Sequence, residues 1–224
     1  MHRVSEADHA LVSAAVRAAE AKSAGEIVTI IAPQSDAYHD VGLHYAVLAM
    51  LLVPVGLYLT PQGWIDWTTG LLLGWNAEPT RPQVALWLFV KLAAVFLIVR
   101  YALAWMPLRM ALTPVRTKRR RVHRRAIELF RTGCELKTRG RTGVLIFLSM
   151  AEKRAEIVAD QAIADQVPAE IWVEALAALI AEVKAGRTGA GLAKAVDMAG
   201  DVLAPILPPV PHDENELPDR LVEL

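Results

Sequence analysis

TGVLIFLSMAEKRAEIVAD, residues 142–160, contains two apolar runs separated by a short polar segment. The first run, residues 142–150, predicts a buried β-strand because it is continuous, apolar and of strand length. The segment AEKR permits a tight turn, and AEIVAD after it predicts a second strand that runs back along the first. We therefore expect a pair of antiparallel strands in this half of the chain.

A third apolar run lies much earlier in the chain. GEIVTIIAP, residues 25–33, is rich in β-branched residues and ends at a proline, which predicts another buried strand. A strand of about seven residues is not stable alone, so we expect residues 26–33 to pair with residues 142–150. Apolar residues between 122 and 130 predict a connecting helix, which implies a parallel, right-handed crossover. The expected fold class is α/β, with a small mixed sheet flanked by helices.

Three further helices are predicted around this sheet. Ser5 and Asp8 have the spacing of a capping box at the start of the first helix, and Gly25 lies beyond its end. Pro168 begins a second helix with apolar residues at helical spacing. GLAKAVDMAGDVLAPIL forms the third, and the tail after it is acidic and rich in proline.

The residues between the first strand and the crossover helix are strongly apolar. VGLHYAVLAMLLVPVGLYLT (residues 41–60) and VALWLFVKLAAVFLIVRYALAWM (residues 84–106) each reach the length of about 20 residues that a membrane span requires. Trp64, Trp67 and Trp75 lie between them and favour an interfacial loop. We expect a two-helix transmembrane hairpin to interrupt one α/β domain. The predicted parts are residues 1–40 and 116–205 for the domain, 41–115 for the hairpin with a short non-cytoplasmic loop, and 206–224 for the tail.

The segment RTKRRRVHRR, residues 116–125, follows the second predicted span. Basic residues near the end of a span favour the cytoplasmic side, so both termini are expected in the cytoplasm. The N-terminus lacks a signal-peptide pattern, and the single cysteine, Cys134, excludes an intrachain disulfide. These features predict a multi-pass membrane protein. Seven residues are expected to anchor it at anionic lipid headgroups: Arg116, Lys118, Arg119, Arg120, Arg121, Arg124 and Arg125.

Binding of nucleic acid is an alternative use of the same basic segment. Such proteins normally spread positive charge over a docking face. Here the positive charge lies in one cluster, and the other polar segments carry more acidic than basic residues. We therefore expect membrane lipid as a partner and no nucleic acid.

Five segments of the soluble part resemble one protein family. They are GEIVTIIA, AIELF, TGVLIFLSMAEKRAEIVADQAI, PAEIWVEALAALI and GLAKAVDMAG. Together, residues 5–33 and about 120–205 resemble the TPM-domain family, named for a thylakoid lumen protein, a photosystem II repair protein and an acetylcholine-receptor modulator. The tail segment DENELP resembles a bacterial subgroup whose members are embedded in the membrane.

The resemblance implies an α/β domain with helices around a central sheet. It also implies weak phosphatase activity and binding of a divalent cation, which are attributed to some members of the family. Members typically carry glycines where the third strand ends, in a pattern similar to V-G-x-G. This chain instead has Val158, Ala159, Asp160 and Gln161 at that place.

Two groups of polar residues are candidates for ligand binding. Parallel strands place their carboxyl ends at one edge of a sheet, where α/β proteins bind ligands, and five polar residues are expected there: Ser35, Asp36, His39, Ser149 and Glu152. At the opposite edge, Asp160 and Asp165 can supply oxygen ligands to Ca²⁺ or Mg²⁺. The alternative is that both are solvated carboxylates near a helix start, stabilised by the helix dipole.

Lys91 lies within the second predicted span, and neither span contains an acidic residue. A charge at the bilayer centre costs about 2.5–3.5 kcal/mol on insertion scales, and less where the side chain snorkels. The side chain is therefore expected either to snorkel to the interface or to contact an acidic group of another membrane protein.

Two functions follow from these patterns. The first is a non-catalytic accessory, assembly or maintenance factor for another membrane protein complex, because no catalytic constellation is complete in the sequence. Its expected partner is a membrane protein or a second copy of the chain in a homo-oligomer. The alternative is a weak divalent-metal-dependent phosphohydrolase that uses Asp160 and Asp165. No organic cofactor is expected for either function.

Overall fold

A computed structural model describes residues 4–75, 79–135, 142–209 and 219–224. In chain order the elements are α1 (Glu6–Glu20), β1 (Glu26–Ala32), α2 (His39–Leu59), α3 (Gln62–Leu73), α4 (Arg81–Ala102), α5 (Met106–Leu112), α6 (Val115–Phe130), β2 (Gly143–Ser149), β3 (Arg154–Ala159), α7 (Gln161–Ala164), α8 (Ala169–Lys184), α9 (Thr188–Leu203) and β4 (Val222–Glu223). They form two compact units, Met1–Ala37 with Pro114–Leu224, and Tyr38–Thr113. The second unit therefore begins three residues before the predicted hairpin and ends two residues before its predicted end.

The first unit is a mixed α/β domain, which confirms the expected fold class. Its four strands lie in the order β3-β2-β1-β4. β1 is parallel to β2, with Ile30 opposite Phe147, and β3 is antiparallel to β2. β4 was not predicted: Val222 and Glu223 pair in parallel with Ile30 and Ile31 of β1. The end of the tail is thus part of the sheet, while residues 210–218, which include DENELP, lie outside the described residues.

Both faces of the sheet are covered by helices, and this explains why its two central strands are continuously apolar. Alternate side chains of a strand point to opposite faces. Ile27 and Ile31 pack with residues of α1, α8 and α9 on one face. Val28 and Ile30 pack with α6 on the other face.

α1 begins at the predicted capping box and packs closely on α9. The Ser5 side chain accepts a hydrogen bond from the Asp8 amide at 3.1 Å, and the Asp8 carboxylate accepts one from the Ser5 amide at 3.2 Å. Gly200 of α9 permits the close approach, because a Cβ at this position would lie 2.6 Å from the Cβ of Ala19. Any larger residue at position 200 would push the two helices apart.

α6 is longer than the sequence predicted. It begins at Val115 after Pro114, so the whole basic segment is helical, whereas the expected crossover helix began at Val122. Proline is favoured at a helix start because its φ is preset and its missing N–H needs no partner there. Val122, Ala126 and Phe130 recur at intervals of four residues and are the buried face that contacts the sheet.

The second unit contains two helices that are long and apolar enough to cross a membrane, judged by length and composition. They are α2 and α4, which pack against each other. α3 lies between them in the chain, in a region predicted as an interfacial loop, and its Trp64 and Trp67 rings are 5.6 Å apart in an edge-to-face arrangement.

Arg109 is the polar centre of the second unit. It is 5% exposed, and its guanidinium donates hydrogen bonds to the carbonyl oxygens of Leu103 at 2.7 Å and Ala104 at 3.2 Å. The carbonyl groups at the end of a helix lack partners within that helix. Arg109 therefore satisfies carbonyl groups that follow the end of α4.

Candidate functional site

The loops after β1 and β2 are joined through the carboxylate of Glu152. Ser35 donates from its amide at 3.0 Å and from its hydroxyl at 2.5 Å to Glu152 Oε1. The Ser149 hydroxyl donates to Glu152 Oε2. Glu152 is only 8% exposed, and Lys153 beside it has a φ of 49°, in the left-handed region. Three of the five polar residues predicted at this edge therefore meet, and their hydrogen bonds hold the two loops together.

Asp36 is paired with arginines of α6. Its Oδ2 lies 3.1 Å from Arg121 Nη1 and 3.3 Å from Arg124 Nη2. The Arg121 side chain is 9% exposed and that of Asp36 is 29% exposed. His39, which the sequence grouped with these residues, is the first residue of α2 in the second unit, where its Nδ1 lies 3.4 Å from Arg109 Nη1.

Asp160 is a buried structural carboxylate. It is 5% exposed, and its Oδ2 accepts a hydrogen bond from the Gly143 amide at 3.0 Å. The Asp160 amide donates in turn to the Gly143 carbonyl at 3.0 Å. This reciprocal pair fixes the end of β3 to the start of β2.

Asp165 is exposed at the end of the short helix α7. In the described part of the chain, no group of three or more His, Cys, Asp or Glu side chains is arranged to hold a metal ion. A hard cation takes about six to eight oxygen ligands, of which the two aspartates supply a minority. Metal binding by Asp160 and Asp165 stays a prediction.

The basic segment has two different faces on α6. Arg121, Arg124 and Arg125 pair with carboxylates of the same unit: Arg121 with Asp36, Arg124 with Asp36 and Glu128, and Arg125 with Glu128. Arg121 is buried, so it cannot reach lipid as predicted and instead stabilises the domain. Its burial accompanies its ion pair with Asp36.

The second face of α6 carries basic groups that point to solvent. Arg116, Arg119 and Arg120 are exposed and form no ion pair with the residues that the structure describes. They line an open cleft of about 390 Å³ with His123 and with Glu156 of β3. Lys118 is partly exposed and lies outside this lining. Only part of the predicted anchor is thus free to meet an anionic ligand.

Comparison with known proteins agrees with this architecture. The family model described as TPM domain matches residues 109–202. An NMR structure of BA42 protein from the psychrophilic bacterium Bizionia argentinensis is similar over 100% of this chain and 97% of that chain, with a TM-score of 0.56 and 17% sequence identity. At this identity the likeness concerns the fold. No curated protein sequence matches the chain.

The chain thus contains a match to the TPM domain over residues 109–202, which supports the family resemblance. Its TPM domain is not contiguous in sequence, because α1 and β1 lie before the region that the family model matches. β1 nevertheless pairs with β2 along its whole length, from Glu26 opposite Gly143 to Ala32 opposite Ser149. The sheet of the TPM domain is therefore completed by residues on both sides of the apolar hairpin.

Glu20, the last residue of α1, has a carboxyl group with a raised pKa. The Glu20 carboxylate accepts a hydrogen bond from the Ile27 amide at 3.2 Å. Burial raises the pKa of Glu20 to about 8, the bond from Ile27 opposes this change, and the nearby carboxylates of Glu26 and Asp219 add to it. The raised pKa of Glu20 could not be predicted from the sequence, because Glu26 and Asp219 approach Glu20 only in the folded chain.

The TPM domain also binds its own tail. Leu221 is 3% exposed within the main hydrophobic core, and the Leu224 amide donates to the Ile31 carbonyl at 3.0 Å. Glu223 Oε1 lies 2.6 Å from His9 Nε2 of α1. The sequence left open whether the tail is disordered, binds a partner or docks on its own domain, and the end of the tail docks on the domain.

Lys91 has an aromatic partner within its own helix. Its Nζ lies 3.6 Å from the centroid of the Trp87 ring, one turn earlier in α4. A cation over the face of a tryptophan is stabilised by the ring quadrupole, and more strongly where water is excluded. The Lys91 side chain therefore points toward the start of α4.

Proposed function

We propose that this TPM-domain protein is held in a bacterial inner membrane by α2 and α4, with its TPM domain in the cytoplasm. The observation that carries the proposal is the surface of α4. None of its 22 residues is buried, and Leu86, Phe89 and Ile98 are 63%, 66% and 66% exposed. A helix with bulky apolar side chains on its whole surface is unfavourable in water and favourable in hydrocarbon.

The proposed role is that of a non-catalytic accessory, assembly or maintenance factor for another membrane protein complex. This role is supported by the hydrogen bonds and ion pairs that the polar groups of the domain form with one another. At the edge where α/β proteins bind ligands, both oxygens of Glu152 accept bonds from Ser35 and Ser149, and Asp36 is paired with two arginines. These groups join segments of the domain, so they are engaged in its own structure.

Three experiments on native membranes test this role. Alkaline extraction should leave the full chain in the membrane, and protease added from the cytoplasmic side should cleave the TPM domain. Crosslinking with mass spectrometry should then recover a reproducible membrane protein partner. Release of the chain by alkali would contradict the anchoring, and recovery of self-contacts and lipid alone would contradict the partner.

Lys91 provides a sharper test of the partner contact. If an acidic residue of the partner meets this side chain within the membrane, Lys91→Met should remove crosslinks to the partner. Lys194→Met, a change at an exposed lysine of α9, is the matched control and should leave them unchanged. Unchanged crosslinks in both variants would indicate that Lys91 contacts Trp87 and not an acidic residue of the partner.

The alternative is a weak divalent-metal-dependent phosphohydrolase, and its support is the family together with Asp160 and Asp165. Hydrolysis of p-nitrophenyl phosphate by the detergent-solubilised chain should then require Mg²⁺, Mn²⁺ or Ca²⁺. Asp165 is exposed, so Asp165→Ala tests its role without disturbing the core. Activity that is equal in Asp165→Ala and in the unchanged protein would exclude the proposed pair.

A further inference from the structure

We infer that the cleft between α6 and β3 is a binding site for the headgroup of an anionic phospholipid. This inference rests on the proposed membrane function and adds to it a defined site. This basic cleft is an open space of about 390 Å³ and is lined by Arg116, Arg119, Arg120, His123 and Glu156.

The spacing of the residues explains why the cleft exists. Residues 119, 120 and 123 lie three, four and seven positions after residue 116. At this spacing the four side chains lie along one side of a helix. A different side of the helix carries Arg121 and Arg124, which both form ion pairs with Asp36. α6 therefore separates its arginines into a pair that is bound to Asp36 and a group of three, Arg116, Arg119 and Arg120, without acidic partners in the described ranges.

The chemistry of the lining fits a phosphate ester. Arginine presents a planar fork of N–H donors that binds phosphate oxygens in pairs, and three such forks lie along one stripe. His123 adds a ring nitrogen, while its Nδ1 lies 3.3 Å from Glu156 Oε2. α6 also begins without a side-chain cap and without acidic residues in its first turn, so the helix dipole favours an anion at this end.

The position of the cleft in the chain favours lipid as the source of the phosphate. Arg116 follows the last residue of the apolar helix α4, Ala102, by 14 residues, that is, within the juxtamembrane region. Basic groups next to a span meet a cytoplasmic leaflet whose anionic lipids attract them. Nucleic acid would need positive charge spread over a wider face, and Glu156 within the lining opposes a polyanion.

The test is equilibrium binding of fluorescently labelled phosphatidylglycerol and cardiolipin to the full chain in neutral detergent micelles, with labelled phosphatidylcholine as the reference. The triple variant Arg116→Gln, Arg119→Gln, Arg120→Gln should bind the two anionic lipids at least about tenfold more weakly, since each removed arginine contributes to the attraction. The control variant Lys153→Gln, Lys184→Gln, Lys194→Gln removes three exposed charges elsewhere and should bind as the unchanged chain does.

Glu156→Gln should change the affinity for anionic lipids in the opposite direction. Removing this carboxylate should strengthen the binding of the anionic lipids a few fold, because it removes repulsion and releases His123 for the phosphate. Equal affinity for phosphatidylcholine, or unchanged lipid binding in the triple variant, would overturn the inference. It would also be overturned by glycerol phosphate binding as tightly as the lipid, or by duplex DNA binding more tightly with a steep dependence on salt.

Failure of this inference is distinguishable from failure of the proposed function. The triple variant keeps α2 and α4, so alkaline extraction should leave it in the membrane like the unchanged chain. If the unchanged chain stayed in the membrane but bound anionic lipids no better than phosphatidylcholine, the headgroup site alone would be contradicted. Extraction of the unchanged chain by alkali would remove the membrane function on which the site depends.

Discussion

Arg121 Nη1 lies 3.1 Å from Asp36 Oδ2, and this ion pair closes the TPM domain where the apolar hairpin interrupts it. Asp36 is among the last residues of the domain before the hairpin, and Arg121 lies in the first helix after it. The bond therefore joins two segments that are 85 positions apart in the sequence. Because the ion pair holds the two ends of the insertion together, it limits the conformational freedom that the inserted residues add to the domain.

Removal of the Arg121 guanidinium should destabilise the domain. Arg121→Gln removes one of the arginine partners of Asp36, and the expected loss in the free energy of unfolding is about 1–3 kcal/mol. This is less than for a fully buried pair, because the Asp36 side chain is 29% exposed. Denaturant unfolding of the solubilised chain, followed by circular dichroism, measures it. Arg125→Gln, at an exposed pair with Glu128, is the control and should change stability by less than about 0.5 kcal/mol.

The central strands could be predicted because the reasons for their structure are local. Residues 26–32 and 143–149 are apolar runs of strand length, and the sheet buries both of their faces. The burial of Arg121 could not be predicted from helical spacing. Arg119, three residues before Val122, lies on the same face of the helix as Val122 and yet is exposed, whereas Arg121 is buried. The burial of Arg121 accompanies its ion pair with Asp36, which is distant in sequence.

The features that were missed depend on contacts distant in sequence. Val222 and Glu223 are too few to show a strand period, and they pair with β1 because that strand otherwise presents an open edge. The raised pKa of Glu20 requires the approach of Glu26 and Asp219 in three dimensions. The grouping of His39 with Ser35 failed because the helix of the second unit begins at residue 39.

Stability should depend on pH through Glu20. Its pKa is raised from 4.5 to about 8 in the folded protein, so the folded state binds protons more tightly than the unfolded state between these values. The contribution of this group is fully present below pH 4.5 and is lost as the pH rises through about 8. Unfolding experiments across this interval should show a fall in stability with rising pH that is smaller in Glu20→Gln.

The exposed Glu6 of the same helix provides the control for this effect. Glu6→Gln removes one carboxyl group from α1 without changing the contacts at the edge of β1. Its pH profile should parallel that of the unchanged chain. If Glu20→Gln also kept the full decline between these pH values, another group would be responsible.

The docked tail should open independently of the rest of the domain. Leu221 is 3% exposed, so Leu221→Ala is expected to weaken docking by about 2–3 kcal/mol, which corresponds to roughly 30- to 150-fold faster amide exchange at Leu224. Hydrogen–deuterium exchange with mass spectrometry measures this rate. Val173→Ala, at a 61% exposed position of α8, should leave it unchanged. Exchange that was equally fast in the unchanged chain and in Leu221→Ala would show that the tail is undocked in solution.

The aspartates at the end of β3 and α7 should differ in their contribution to stability. Asp160→Ala leaves the buried Gly143 amide without its acceptor, and the expected cost is about 1–3 kcal/mol. Asp160→Asn retains an oxygen that can accept this bond, so its cost should be smaller. Asp165→Ala at the exposed position should cost less than about 0.5 kcal/mol. Denaturant unfolding of the three variants in the presence of a chelator measures these differences.

Adding Ca²⁺ or Mn²⁺ to the same experiment separates the structural use of Asp160 from metal binding. A ligand that binds only the folded state raises its stability in proportion to the logarithm of its concentration. If Asp160 serves only the bond to Gly143, the cations should stabilise the unchanged chain and Asp165→Ala equally. Stabilisation that depends on Asp165 would instead show that the two carboxylates share a cation, since this residue contributes to no core contact that its removal could disturb.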